Sequence, residues 1–198
     1  MGQAFLKKQF YSKEEYLELE ELSEYKSEYY DGEIFAMSGG SYKHSAICSN
    51  LHRRLGDVLD GKDCIVFDSN LKLAIPKTNA FVYPDLMVVC GKVGFAENRH
   101  DIIRNPILIV EVLSPSTESY DRDMKFGFYR TIPSLKEYIL VSQNKPIVEV
   151  YFRQNKDSWQ NKDSWQYSVS EGTEQGIVLQ SLGYEILLKD IYQKIEVF

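Results

Sequence analysis

Residues 107–113 read ILIVEVL: six aliphatic side chains with one carboxylate, Glu111, among them. A run this short and this rich in β-branched residues is a strand, and one that is apolar on both alternating faces must be covered on both. Glu111 is thereby carried into a dry interior. An ionised carboxylate there is costly unless it is paired, hydrogen-bonded or bound to a cation. A second run, 81–90 (FVYPDLMVVC), has the same character and carries Asp85 behind Pro84. The two strands predict a sheet with material on both sides and an acid on each strand.

The rest of the chain supplies that material. In 12–25 (SKEEYLELEELSEY), Ser12 and Glu15 form a capping-box pattern, so a short acidic helix starts there. Asp31-Gly32, between Tyr29-Tyr30 and residues 34–37, is a hairpin signal because a type I′ turn needs positive φ at both central positions. From 44 to 59, Ile47, Leu51, Leu55 and Val58 fall at helical spacing, and Gly61 follows as a stop. Residues 64–67 and 71–75 read as one bent or bulged strand, 81–90 as another, and 91–105 as a long polar loop. A helix over 119–130 carries Tyr120, Met124 and Phe128 on one stripe; strands at 135–141, 147–152 and 166–169 follow. The hexapeptide QNKDSW stands at 154–159 and again at 160–165, a duplication at a hairpin tip, where extra length costs little. The expectation is an α/β (α+β) fold: a mixed β-sheet flanked by helices, with an N-terminal helix and hairpin and a C-terminal β-hairpin addition. With 198 residues, 43% of them hydrophobic, one domain spans 1–198, its core at about 24–152 and a hairpin appendage at 153–198.

Charge and cysteines exclude several classes. Twenty-three basic against 29 acidic residues leave a net charge of −6, which no polybasic nucleic-acid coat would carry. Cys48, Cys64 and Cys90 show no CxxC spacing and argue against a disulfide framework; a reducing cytoplasm is the expected location. His44, His52 and His100 pair with no cysteine at structural-zinc spacing. The longest apolar stretch is too short to cross a bilayer, and phosphate-binding and nucleophile-elbow motifs are missing.

Asp85 and Glu111, on adjacent strands, can converge on a hard divalent ion, Mg²⁺ or Mn²⁺, which would offset their repulsion. Each acid alone is better explained by an edge position or a nearby Lys or Arg. Together, in the two most apolar strands, they point to a metal site able to hydrolyse a phosphate ester.

YPDLMVV, IVEVLSPST, YDRDMK and YDGEIFAMSGG followed by His44 resemble the Uma-two-type restriction-endonuclease family of the PD-(D/E)xK superfamily, over about 24–150. The resemblance implies a restriction-endonuclease-like mixed sheet, a Mg²⁺-dependent site, DNA as substrate and a homodimer. It matches Asp85 to the PD aspartate and Glu111 to the acid of (D/E)xK. Leu113 stands where the lysine is expected, and Lys125, on the next helix, is the matching lysine; on geometry alone an Asp121–Lys125 surface pair explains it equally. Glu33, in the DGE segment, and His44 also match family positions, beside the metal and at phosphate or in proton transfer. The function expected is a metal-dependent endonuclease acting on DNA; the alternative is the same fold without cleavage, binding nucleic acid or protein.

Overall fold

The computed structural model describes residues 10–37, 39–96, 99–115, 117–154 and 164–196. Helix α1 (Lys13–Leu22) begins with the reciprocal box: Ser12 Oγ accepts from the Glu15 amide, and Glu15 Oε2 accepts from the Ser12 amide. Its Tyr16 is buried against Tyr29 and Phe81. Strands β1 (Ser27–Tyr30) and β2 (Glu33–Ala36) turn at Asp31 and Gly32, with φ of 44° and 100°. A Cβ on Gly32 would also come within 2.8 Å of Phe10. Helix α2 (Tyr42–Leu59) buries the expected stripe of Ile47, Leu51, Leu55 and Val58.

Then come β3 (Cys64–Asp68), β4 (Lys72–Ile75), β5 (Ala80–Val82), β6 (Leu86–Cys90), β7 (Ile102–Ile103) and β8 (Leu108–Leu113). A helical run follows: α3 (Glu118–Tyr120), one π-helical stretch (Asp121–Lys125) and α4 (Phe126–Tyr129). The chain continues through β9 (Glu137–Ser142), β10 (Ile147–Arg153), β11 (Trp165–Glu171), β12 (Gly176–Leu179), β13 (Tyr184–Leu187) and α5 (Leu188–Ile191).

These strands form a mixed α+β architecture. A six-stranded sheet runs β11-β10-β9-β8-β6-β3 and a five-stranded one β2-β1-β5-β4-β7, with β12-β13 as a separate pair. The parallel pairs are β8 with β9 and β4 with β7. The helical run makes the crossover that a parallel β8–β9 neighbour requires. Every residue of β8 is buried. Its Leu108, Val110 and Val112 pack with α2 and α5, whereas Ile109 and Leu113 pack with β4, β5 and α4. Alternation puts Glu111 on the second face, beneath the helical run.

Several sequence expectations are corrected. Residues 64–75 are two strands in different sheets, because Asp68 turns the chain: its Oδ1 accepts from the Asn70 amide at 3.0 Å. Residues 81–90 also divide between the sheets, β5 in one and β6 in the other. The break falls at Tyr83-Pro84-Asp85, where Pro84 has no amide to continue a ladder. The polar loop after β6 contains β7, which pairs with β4. The stripe of Tyr120, Met124 and Phe128 fails at Met124, which is 40% exposed, because the π-helical stretch turns Asp121 and Lys125 inward instead. Cys64 and Cys90, 26 residues apart, are disulfide-bonded because antiparallel register sets them opposite each other on β3 and β6.

The duplicated hexapeptide lies largely outside the described residues, which resume at Ser164. The chain from 176 on is built into the core: Ile177, Leu179, Ile186, Leu188 and Ile191 join the cluster formed by α2 and the six-stranded sheet. Among the described residues, no helix is long and apolar enough to cross a membrane.

Glu137 ties that segment to β9. Its carboxylate accepts from the Gln180 and Ser181 amides at 2.6 and 3.1 Å and from the Ser181 hydroxyl. Burial pushes its pKa up, although those donors oppose the shift. Glu137→Ala orphans three donors and should cost about 2–4 kcal/mol. Urea denaturation checks this; a cost under about 0.5 kcal/mol, the level of an ordinary surface change, would refute it.

Candidate active site

The register Leu86↔Val110, continued by one residue, sets Asp85 across from Glu111. The backbone locks the pair: the Val112 amide donates to Asp85 Oδ2 at 2.7 Å, and the Asp85 amide lies 3.4 Å from Glu111 Oε2. Glu111 is 2% exposed. Its Oε1 accepts from Tyr129 Oη at 2.6 Å and from Lys125 Nζ at 3.1 Å. Burial drives the Glu111 pKa well above the ordinary carboxylate range; Lys125 opposes this, while Asp121 and Asp85 add repulsion.

Lys125 is the hub. Its Nζ lies 3.1 Å from Glu111, 3.3 Å from Asp121 and 3.4 Å from Glu28. Burial alone would lower its pKa, but Glu111, Glu28 and Asp121 outweigh burial and hold it well above the usual value. Glu28 comes from β1 and is fixed by the Tyr83 amide, which donates to its Oε1 at 3.0 Å. One ammonium therefore joins the five-stranded sheet, the six-stranded sheet and the helical run.

His44 enters from α2. Ser41 caps that helix by accepting from the His44 amide at 3.1 Å, and its hydroxyl donates to Gln143. A Cβ at Gly40 would sit 3.0 Å from His44 Nδ1, so glycine leaves room for the ring. His44 Nε2 lies 3.0 Å from Asp85 Oδ2, and this hydrogen bond raises the imidazole pKa against the effect of burial. Cys48, one helical turn later, has its Sγ 3.7 Å from His44 Nδ1. Beside them opens a cleft of about 470 Å³, lined by Ser49, His52, Arg53 and Asp68 as well as His44 and Asp85.

Of the five residues singled out from sequence, Asp85, Glu111, Lys125 and His44 lie in one connected cluster. Glu33 does not: it is exposed on β2, and its side chain makes no hydrogen bond or ion pair among the described residues. The hairpin acid that reaches the cluster is Glu28. The strand that carries it, SEYY, is buried at its centre because another sheet approaches, and the sequence carries no signal of that. Asp121 and Tyr129 were also missed, because helical spacing assumed an unbroken α-helix. The Asp121–Lys125 pair exists but is buried rather than on the surface. Arg54 is paired with Asp190, and Arg122 with Glu118 and Glu149.

Four carboxylates (Glu28, Asp85, Glu111 and Asp121) thus face one lysine and one imidazole. With every acid ionised, negative charge is in excess even with His44 protonated, and a divalent cation bound there would favour that ionised state over the protonated one that burial favours. Asp85 Oδ1 makes no hydrogen bond among the described residues, and Glu111 Oε2 has just the long contact to the Asp85 amide. Two carboxylate oxygens on neighbouring strands suit a hard ion that takes its other ligands from water and substrate.

Residues 13–183 match the family model Uma2, described as "Putative restriction endonuclease". Two uncharacterized proteins of Synechocystis sp. (strain ATCC 27184 / PCC 6803 / Kazusa) are similar. One is 38% identical over 182 residues, 92% of this chain and 91% of its own length. The other is 39% identical over 145 residues, 73% of this chain and 82% of its own length. A crystal structure from Anabaena variabilis ATCC 29413, described as a "putative nuclease belonging to DUF820", shares the fold, with a TM-score of 0.73 at 20% identity. The match covers 92% of this chain and 97% of that one.

Removing Lys125 isolates Glu111, Asp121 and Glu28. Lys125→Met should cost about 3–5 kcal/mol at neutral pH. The sign of its pH dependence follows from the raised pKa values of Glu111 and Asp121. An acid whose folded pKa is raised stabilises the fold below its unfolded pKa and loses that contribution as pH rises through the folded one. The deficit relative to wild type should shrink between pH 8 and pH 5. Urea midpoints across that range test it; a deficit that grows on acidification would show that the acids are not left charged.

Proposed function

The chain belongs to the Uma2 family, and from that premise we propose that it is a metal-dependent endonuclease hydrolysing phosphodiester bonds in DNA. The observation that carries the reading is the pair of carboxylates, half-buried Asp85 just before β6 and buried Glu111 on β8, set across from each other. Asp85 and Glu111 would hold Mg²⁺ or Mn²⁺. When bound, the ion supplies Lewis-acid polarisation of the phosphate and lowers the pKa of a coordinated water.

The chain's own groups do the rest. Lys125 holds Glu111 in a single orientation and places positive charge beside the acids, where negative charge builds on the phosphate. Tyr129 fixes the same carboxylate from the other side. His44, held by Asp85 at the mouth of the cleft and raised in pKa, can carry a proton to a leaving oxygen. The cleft admits the scissile phosphate with the neighbouring backbone near His52 and Arg53. The proposal includes a homodimer, since two sites cut two strands; light scattering on the eluted protein should give twice the chain mass.

A second reading, a nuclease fold that binds nucleic acid without cutting it, has one observation in its favour: Lys125 Nζ is surrounded by three carboxylates. Plasmid cleavage in Mg²⁺ or Mn²⁺ decides between the two. Asp85→Ala and Glu111→Ala should each lose at least about 100-fold in rate, with the fold retained by circular dichroism. Wild-type cleavage left unchanged by both substitutions would overturn the site, and retention of DNA without cleavage would favour the second reading.

A further inference from the structure

One donor beside Asp85 takes no part in the proposed hydrolysis. Cys48 follows His44 by four residues on α2, so the two project from the same helical face. One ligand atom each from His44, Cys48 and Asp85 falls within 4.8 Å of the others, and all three residues are half-buried. Tetrahedral zinc, with bonds of about 2.0 Å to nitrogen and about 2.3 Å to sulfur, needs ligand–ligand edges of about 3.5 Å. An ion takes one ring nitrogen, so of the two contacts of the His44 ring, 3.7 Å from Nδ1 to Cys48 Sγ and 3.0 Å from Nε2 to Asp85 Oδ2, a single one survives as a ligand edge and the other gives way as the ring turns. With one atom of each residue within 4.8 Å of the others, side-chain movements of about 1 Å close the set around one ion.

The donor chemistry differs from that of the Asp85–Glu111 pair. A thiolate and an imidazole favour zinc-class ions, whereas Mg²⁺ prefers all-oxygen surroundings. Three protein ligands with a fourth position facing a cleft is the pattern of an open zinc site. That cleft is lined by Ser49, His52 and Arg53, so the fourth position meets water or an anion rather than packed side chains.

We propose that His44, Cys48 and Asp85 form a second cation site, selective for a thiophilic divalent ion such as Zn²⁺, with one coordination position open to the cleft. A regulatory consequence rests on the endonuclease reading. An ion held there takes Asp85 and His44 out of the hydrolytic arrangement, so zinc inhibits while magnesium supports cleavage.

The test of the site does not depend on cleavage. Co²⁺ is titrated into the full chain, free of chelator and thiol reductant. A near-ultraviolet sulfur-to-cobalt charge-transfer band should appear, with the visible bands of four-coordinate Co²⁺, saturating at a single equivalent. Zn²⁺ should bleach it and excess Mg²⁺ should not. Cys48→Ser should abolish the near-ultraviolet band, and His44→Ala should weaken Co²⁺ binding at least about tenfold. Absence of the band in the wild type, or an undiminished band in Cys48→Ser, overturns the site. If the wild type cuts DNA, Zn²⁺ should suppress Mg²⁺-supported cleavage in it and spare any residual cleavage by Cys48→Ser. Equal suppression in both refutes the regulatory consequence. A chain that never cuts would defeat the endonuclease reading, while the cobalt spectrum still decides the site.

Discussion

The ion contact between Lys125 and Glu111 crosses from the helical run to the strand beneath it, and the same ammonium meets Glu28 from the other sheet. Burying Glu111 would be prohibitive without it, and burying Lys125 would be prohibitive without the carboxylates. Neither side chain can be placed before β1, β8 and the helical run have come together. Site formation and the docking of the two sheets are therefore a single event. The same contact explains why Tyr129 and Asp121 are buried with their polar atoms turned toward the cluster.

Much of this was legible from residue pattern. Glu111 and Asp85 stood out because a charge in an apolar strand requires compensation, and that logic needs no knowledge of the neighbours. The capping box at Ser12, the Asp31-Gly32 turn and the α2 stripe are local signals, settled within a few residues of chain, and the structure retains them. What escaped was non-local. The Cys64–Cys90 bond depends on strand register across 26 residues. Glu28 reaches Lys125 because two sheets approach each other, and no period within SEYY reports that. The division of residues 81–90 between sheets was hidden because both halves are equally apolar.

That division has its own significance. Tyr83-Pro84-Asp85 is the point at which the chain leaves one sheet for the other, and each residue around it meets a different layer. The Tyr83 amide holds Glu28 of β1, while the Asp85 side chain takes the Val112 amide of β8 and the His44 ring of α2. A carboxylate at a sheet-switching corner escapes the ladder and keeps one oxygen open to the cleft. Had 81–90 been one straight strand, Asp85 would have been an ordinary mid-strand residue.

The π-helical stretch of residues 121–125 separates two segments of helix that are out of phase with each other. A deletion of one residue there would restore regular α-helical hydrogen bonding and improve the helix as a helix. It would also turn everything upstream by about 100° relative to everything downstream. Tyr120 and Phe128 would then stand seven residues apart on one stripe, and Asp121, three residues from Lys125 instead of four, would meet its ammonium from a different angle. In this chain the better helix is the worse protein, and length in that segment is constrained even where the identity of an exposed residue such as Met124 is free.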